Sequence, residues 1–290
     1  MELENARVTI VGLGLMGGSM ALRLQPRCMK LVGVESDPKT VKLARRAGIT
    51  TQGLKPALAH VNVLILATPV KESLRLLEQF RSHPPKVDLL MDLGSTKRKI
   101  IEAMESLPDQ VVAVAGHPLC GKERAGFQEA DAGIFDGSLF LLTPCSRTTP
   151  GSLTLAEEIV SALGASVRQV EATRHDQLLA AVSHLPYLLA AALMGSTEIL
   201  AREDPELWDL TASGFLSTSR LAASDLTMMV DILTTNQDLV LAALSRAQAE
   251  LGQLRELLAN GDAGPLREYL EPLQQRRTSL NGPRSVANGA

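Results

Sequence analysis

From residue 7 to about 170 the chain alternates short apolar, β-branched runs with amphipathic segments of helical length. Apolar runs without polar alternation suit strands buried on both faces, and their alternation with helices is the pattern of a parallel sheet covered on both sides. The runs predict strands over 7–12, 30–35, 61–67, 87–91, 111–114, 138–143 and 166–169. After about residue 172 the pattern changes to Leu- and Ala-rich helix formers with few β-branched clusters, which predicts an all-helical second part. A helix over 173–200 carries Pro186 in its interior, where a kink and a freed carbonyl near His184 are expected. Further on, Val240, Leu244, Ala247, Leu251, Leu254 and Leu258 recur at steps of four and three, a heptad-like seam that faces its own core or meets a second subunit. From Thr278 the tail turns polar, with Gly and Pro, the composition of a disordered end. The predicted organisation is therefore a doubly wound α/β domain over 1–171, a helical domain over 172–277 and a tail over 278–290.

The first apolar run breaks into glycines. Arg7-Val8-Thr9-Ile10-Val11 leads into Gly12-Leu13-Gly14-Leu15-Met16-Gly17-Gly18-Ser19, where the chain turns from strand to helix. Gly12 would permit the tight turn, Gly14 would let the backbone approach a pyrophosphate, and Gly17 would let helix and strand pack closely. Leu15 and Met16 fall in the first helical turn, whose unpaired N–H groups and dipole favour an anion. The next strand, Leu31-Val32-Gly33-Val34-Glu35, ends in an acid placed to accept from a ribose 2′-hydroxyl. Together these features predict a Rossmann-type dinucleotide-binding domain. Glu35 favours NAD because a carboxylate repels a 2′-phosphate, and Ser36 beside it leaves room for dual use with NADP. Ligands in such sheets sit outside the carboxyl ends of the strands. Thr68-Pro69, the Met91-Asp92-Leu93-Gly94-Ser95 segment and Gly116-His117-Pro118 all follow strand ends and should share that crevice.

Composition narrows the partners. The chain has 290 residues, 45% of them hydrophobic, ample for a core. A formal net charge of −3 gives no footprint for nucleic acid or an anionic membrane. Cys28, Cys120 and Cys145 show neither disulfide nor zinc spacing, so no metal is expected and a reducing cytoplasm fits best. There is no signal-peptide pattern, and the apolar runs are interrupted short of the ~20 residues that a membrane span needs. Charge implies no partner, and the glycine motif points to a small-molecule ligand.

A nicotinamide enzyme needs a proton acceptor beside the hydride transfer, and histidine suits this near neutral pH. Of the five histidines, His60 and His83 flank segments away from the crevice. His117 follows a strand end, and Pro118 biases it towards an extended backbone that projects the imidazole. His184, in Ser183-His184-Leu185-Pro186-Tyr187, and His175 lie in the long helix, where a satisfied core or capping role is the commoner outcome. Arg220 closes a hydroxyl-rich break, Ala212-Ser213-Gly214-Phe215-Leu216-Ser217-Thr218-Ser219; it could present a carboxylate-matching fork or simply pair with Asp225.

Four segments in order resemble the prephenate/arogenate dehydrogenase family of tyrosine biosynthesis. They are Gly12 to Ser19, Asp92-Leu-Gly-Ser-Thr-Lys97, Gly116-His-Pro-Leu-Cys-Gly-Lys-Glu123, and Ser183-His-Leu-Pro186 followed by Gly214-Phe215 and Ser219-Arg220. The resemblance implies NAD(P)-dependent oxidative decarboxylation of prephenate to 4-hydroxyphenylpyruvate, or of arogenate to tyrosine. It assigns His117 as the base that takes the ring hydroxyl proton, Ser95 as its hydrogen-bonding neighbour at the nicotinamide end, and Arg220 as the holder of the ring carboxylate. Glu123, His184 and Tyr187 fall among the substrate-binding positions, and a homodimer through the helical domain is implied.

The chain also departs from that family's pattern. Tyr187 stands where members often carry a second histidine, and Gly214-Phe-Leu-Ser-Thr replaces the common Gly-Phe-Arg-Asp-Thr. Both changes bear on the substrate side chain, where prephenate and arogenate differ. The Gly-Leu-Gly-x-Met-Gly start also resembles the β-hydroxyacid dehydrogenases, but these rely on a lysine in the helical domain, and none occurs here after Lys122. A non-catalytic NAD-binding module would leave the combination of Ser95, His117 and Arg220 unexplained.

Overall fold

Among the described residues, 1–122 and 124–280 of a computed structural model, the apolar runs fold as eight strands. These are β1 (Arg7–Val11), β2 (Lys30–Val34), β3 (Thr50–Gln52), β4 (Val63–Leu66), β5 (Leu89–Asp92), β6 (Ala113–Pro118), β7 (Leu139–Pro144) and β8 (Ser166–Gln169). One sheet takes the order β3-β2-β1-β4-β5-β6-β7-β8. The strand order reverses between β1 and β4, the switch point at which doubly wound sheets bind ligands. The connections carry α1 (Leu15–Leu24), α2 (Pro38–Arg46), α3 (Leu54–Ala57), α4 (Val70–Ser82), α5 (Arg98–Glu105) and α6 (Pro150–Ala162).

Side chains alternate along a strand, so β4 gives Val63 and Ile65 to one hydrophobic cluster and Leu64 and Leu66 to the other. The first cluster takes in Met20 and Leu24 of α1 with Leu155 and Ile159 of α6. The second takes in Leu77 and Phe80 of α4 with Ile100 and Met104 of α5. Two covered faces explain why these strands read as unbroken apolar runs.

Three features of the sheet differ from the pattern reading. The edge strand β3, Thr50-Thr51-Gln52, carries no apolar signal because main-chain pairing with β2 holds it while its side chains stay largely exposed. The strand β7 runs antiparallel to β6, whereas every other neighbouring pair is parallel. And β6 continues through His117 and Pro118, so His117 lies inside the strand near its end, not beyond it. Its antiparallel partner allows this: His117 pairs with Leu141 and Pro118 with Phe140.

The helical part opens with α7 (Ala172–Leu179), capped by the Glu171 carboxylate, which accepts from Thr173 N at 2.7 Å and Arg174 N at 2.9 Å. It runs without a break through a π-turn, Ala180–His184, into α8 (Leu185–Ala201). The expected kink is thus a widened turn, in which Leu185 N–H donates to Ala180 O just before Pro186. A regular turn would press the proline ring against the carbonyl four residues back, and the extra residue relieves it. The whole run Ala172–Ala201 is long and apolar enough to cross a membrane by length and composition, contrary to the reading of interrupted runs. Near its start, however, Asp176 is tied to Lys97 and Asn236 within the unit formed by Met1–Val240. Next come α9 (Ser213–Ser219), α10 (Leu226–Thr235), α11 (Gln237–Asn260) and α12 (Ala263–Ser279).

Residues from Leu241 on form a second compact unit, made of most of α11 and of α12. Within it the Tyr269 hydroxyl donates to Glu250, and Leu251, Leu258, Leu270 and Leu273 are exposed. The tail expected from Thr278 instead begins as helix, since α12 continues through Ser279 with Arg276 and Arg277 suiting its last turn. The rest of that expectation, 281–290, lies outside the described residues.

Candidate active site

Four connections open at the carboxyl ends of the parallel strands. At the first, Gly12 has φ +90°, and a Cβ there would meet Ala67 O at 2.7 Å. A Cβ on Gly17 would meet Gly12 O at 1.9 Å, so this glycine lets α1 lie against its own strand. Around Gly14 a Cβ would meet nothing within 4 Å. The loop thus leaves a cradle in front of the first turn of α1, where Leu15 and Met16 are half-buried and Gly14 caps without a side chain. A dinucleotide pyrophosphate fits such a cradle, because helix-terminal N–H groups face open space.

Glu35 closes one side. Its carboxylate accepts from Leu13 N at 2.9 Å, Ser36 N at 2.7 Å and Asp37 N at 2.9 Å, which ties the end of β2 to the glycine turn. Thr68 and Pro69 form the β4–α4 connection, with Thr68 Oγ1 2.8 Å from Ser73 Oγ and Pro69 at the start of α4.

The β5–α5 and β6 ends meet over a buried ion pair. Lys97 Nζ lies 2.8 and 2.7 Å from the two Asp92 oxygens and donates to Gly116 O at 2.7 Å. Asp92 also accepts from Gly94 N at 2.8 Å and Gly116 N at 3.1 Å. Both side chains are fully buried, and every strong donor and acceptor of the pair is used. Ser95 sits half-buried on the loop this pair clamps, and His117 follows Gly116 directly.

The start of the helical run faces this clamp. Asp176 accepts from Lys97 N at 2.7 Å and Arg98 N at 3.0 Å, at the N-terminus of α5. His175 Nδ1 lies 2.8 Å from Asp176 Oδ1, and His175 Nε2 lies 2.9 Å from His117 Nδ1. Asn236, after α10, donates to Asp176 O at 2.9 Å and lies 3.3 Å from His184 Nδ1. His184 is buried, and its Nε2 has no partner among the described residues.

Burial, then the neighbouring charges of His175, Lys97 and His184, hold His117 well below the ordinary imidazole value. His184 is pushed down to about 4, chiefly by burial. Burial also lowers His175, against the opposing pull of Asp176. For Asp176 burial acts upward, yet the hydrogen bonds from His175 and from the Arg98 and Lys97 amides bring it below the usual carboxylate value. The cluster is therefore neutral at its histidines and anionic at Asp176 near neutral pH.

Of the residues singled out from sequence, His117 and His184 share this cluster and Ser95 lies on the loop bordering it. Tyr187 is half-buried in the first turn of α8. Arg220 is exposed at the turn after α9, in a segment that packs on α8. Glu123 lies outside the described residues. Sequence reasoning set His175 aside and passed over Asp176, Lys97 and Asn236. The available signal was an adjacent His-Asp pair at the head of a Leu/Ala helix, and a Lys five residues after an Asp that ends an apolar strand.

A glycine cradle at a Rossmann switch point beside a strand-end histidine defines a nicotinamide-dependent dehydrogenase. Two family models match, "Prephenate dehydrogenase, nucleotide-binding domain" over residues 20–169 and "Prephenate dehydrogenase, dimerization domain" over 171–272. The chain belongs to the prephenate dehydrogenase family. It is 27% identical over 280 residues to a prephenate dehydrogenase of Bacillus subtilis, covering 94% of this chain and 76% of the relative. The structure of Aquifex aeolicus prephenate dehydrogenase in complex with hydroxyphenyl propionate and NAD+ superposes with a TM-score of 0.87 at 26% identity, covering 97% of this chain and 100% of that one. Synechocystis arogenate dehydrogenase superposes with a TM-score of 0.76 at 27% identity, covering 94% and 99%.

Proposed function

We propose that this chain catalyses the NAD-dependent oxidative decarboxylation of prephenate to 4-hydroxyphenylpyruvate, or of arogenate to tyrosine, as a cytoplasmic enzyme of tyrosine biosynthesis. The observation that carries this reading is the placement of His117, a neutral imidazole at a strand end beside the buried clamp, in a chain whose two parts both match the family.

In this reading NAD, when bound, supplies the hydride acceptor. His117 takes the proton from the ring hydroxyl, and that O–H electron pair becomes the new carbonyl bond as the carbinol hydride departs. The carbonyl then draws the electrons of the breaking carbon–carboxylate bond into the ring, carbon dioxide leaves, and the ring becomes aromatic. Ser95 orients the hydroxyl, Arg220 holds the ring carboxylate, and Tyr187 and the buried His184 border the site. The protein's task is positioning and one base. Gly12, Gly14, Leu15, Met16 and Gly17 hold the pyrophosphate, Glu35 the adenosine ribose, and Thr68 and Pro69 the wall towards the nicotinamide.

The direct test is turnover. Purified protein given NAD should reduce it with prephenate or with arogenate, read at the absorbance of the reduced cofactor. No turnover with either substrate, with NAD or NADP, would remove the assignment, and the ratio of the two rates decides the preferred substrate.

The cradle offers a second test that separates binding from folding. Gly14 has φ −69° and open space around it, so Gly14→Ala should melt near wild type while weakening NAD binding about tenfold or more. Gly17→Ala should instead lose about 1–3 kcal/mol of stability, because its Cβ meets a main-chain oxygen. Thermal melts and an NAD titration of both variants check this; equal losses of stability would contradict the assignment of Gly14 to the ligand.

The reading includes a homodimer through the helical region. Supporting it are the match to a family dimerization domain over 171–272 and the exposure of Leu189, Ile199 and Leu200 on α8.

A further inference from the structure

The histidine cluster contains a group that the proposed chemistry does not use. His175 is fully buried, lies in neither the glycine cradle nor the Ser95 loop, and touches His117 through one nitrogen and Asp176 through the other.

We infer that His175 and Asp176 form a positioning dyad that sets the tautomer of His117, holding its proton on Nδ1 and leaving Nε2 free to accept. The hydrogen bonds fix each proton in turn from the carboxylate end. Both Asp176 oxygens receive main-chain N–H groups, from Lys97 and Arg98, and an ionised carboxylate can only accept. The His175 nitrogen 2.8 Å from it must therefore carry a proton. A neutral imidazole protonated at Nδ1 has its lone pair at Nε2, and that nitrogen lies 2.9 Å from His117 Nδ1. His117 must then donate from Nδ1, so its acceptor nitrogen is Nε2, the one not engaged by the dyad.

The competing microstate has His175 doubly protonated. It would donate to His117 Nδ1 and move the His117 proton to Nε2, where it could not act as a base. The groups facing the pair decide between the two. Burial, the largest effect, and the Lys97 ammonium oppose a charged His175, whereas Asp176 and the more distant Asp92 favour it, and the net displacement is towards the neutral ring. His184 and Lys97 likewise oppose positive charge on His117.

The dyad also accounts for the chain adjacency of His175 and Asp176. Asp176 holds the N-terminus of α5, and so the end of the Ser95 loop, while the neighbouring ring reaches His117. One helix start thus sets the position of that loop and the protonation of the strand-end histidine.

The inference rests on the reading of His117 as base, but its first test does not. Nitrogen NMR of protein labelled at the histidine rings, without cofactor or substrate, distinguishes a protonated from an unprotonated ring nitrogen. With five histidines in the chain, the His117 signals are assigned by their loss in His117→Asn. The wild type should show His117 protonated at Nδ1 and bare at Nε2 near neutral pH; the opposite tautomer would overturn the dyad.

Kinetics supply the second arm. His175→Leu removes the acceptor, so His117 should shift to the Nε2–H form and kcat should fall about 100-fold with KM near wild type. In His175→Gln a side-chain carbonyl can stand where Nε2 stood, so the wild-type tautomer and most of kcat should return. Equal losses in both variants, or a fall in kcat without a change of tautomer, would reject the dyad and leave the base assignment standing. If the tautomer is as inferred but His117→Asn turns over normally, the base assignment fails and the dyad survives.

Discussion

Replacing His117 with asparagine should lower kcat by about 10²–10⁴-fold, the usual worth of a positioned general base, while NAD binding stays near wild type. Asparagine is the informative choice. Its amide can stand where Nδ1 stands and still donate to His175 Nε2, now 2.9 Å from the ring, so the buried cluster keeps its hydrogen bond. Nothing then occupies the Nε2 position, and the ring-hydroxyl proton has no acceptor. The glycine cradle is built from β1, α1 and β4 and does not depend on this side chain. Steady-state rates and an NAD titration of the same preparation separate the two effects. Turnover within a few-fold of wild type would send the search for the base elsewhere.

The wild-type pH profile belongs to the same expectation. His117 must be neutral to accept, and its burial among His175, Lys97 and His184 lowers its value from the ordinary one. The acid limb of kcat/KM should therefore fall at a pH below that of a free imidazole, and activity should be at its plateau near neutrality. An acid limb centred at or above the free imidazole value would contradict the cluster's electrostatics.

Lys97→Met should cost about 3–5 kcal/mol of folding stability, among the largest losses available to a single substitution here. The lysine is fully buried, and burial pulls its ammonium downward while Asp92 holds it up. Removing it strands the Asp92 carboxylate in the interior with two amide N–H groups and no cation, and leaves the Gly116 carbonyl without its 2.7 Å donor. Adding Asp92→Asn should recover part of the loss, because the stranded charge disappears with it. Urea denaturation of the single and double variants measures both quantities. A loss below about 1 kcal/mol for Lys97→Met would mean that the pair is replaceable by packing. The clamp lies between the Ser95 loop and His117, so the folded fraction of either variant should also turn over slowly.

The sheet was legible because its strands are buried on both faces. Val63-Leu64-Ile65-Leu66 can be read without knowing its neighbours, and the glycine spacing at Gly12, Gly14 and Gly17 follows from contacts within one turn. What the pattern missed depends on partners distant in sequence. Thr50-Thr51-Gln52 becomes a strand only through its pairing with β2. His175 reaches His117 across 58 positions, and Asp176 reaches Lys97 across 79, so neither pairing leaves a local periodic trace. In a Leu/Ala helix His175 reads as a satisfied core or capping residue, and Asp176 carries no local signal of its own. The roles of Ser95 and Arg220 rest on the family resemblance, since no local rule of spacing selects them.

The widened turn at Ala180–His184 fixes a phase relation along the long helix. At about 100° per residue, nine steps of regular helix would put His184 on the side opposite His175. A π-turn absorbs roughly one residue without advancing the helix, so the effective separation falls to about eight steps and the two rings stand roughly 80° apart. That rotation lets His175 meet His117 while His184 meets Asn236. It also sets which side of α8 carries Leu189, Ile199 and Leu200 outward. Loss of a single residue between Ala180 and Ser183 would restore a regular helix and leave that phase unchanged, whereas closing the turn with every residue kept would swing everything after it by about 100°. The reading frame of the helix surface, from the histidine cluster to its exposed apolar face, thus hangs on a turn that takes in one residue without rotating the helix.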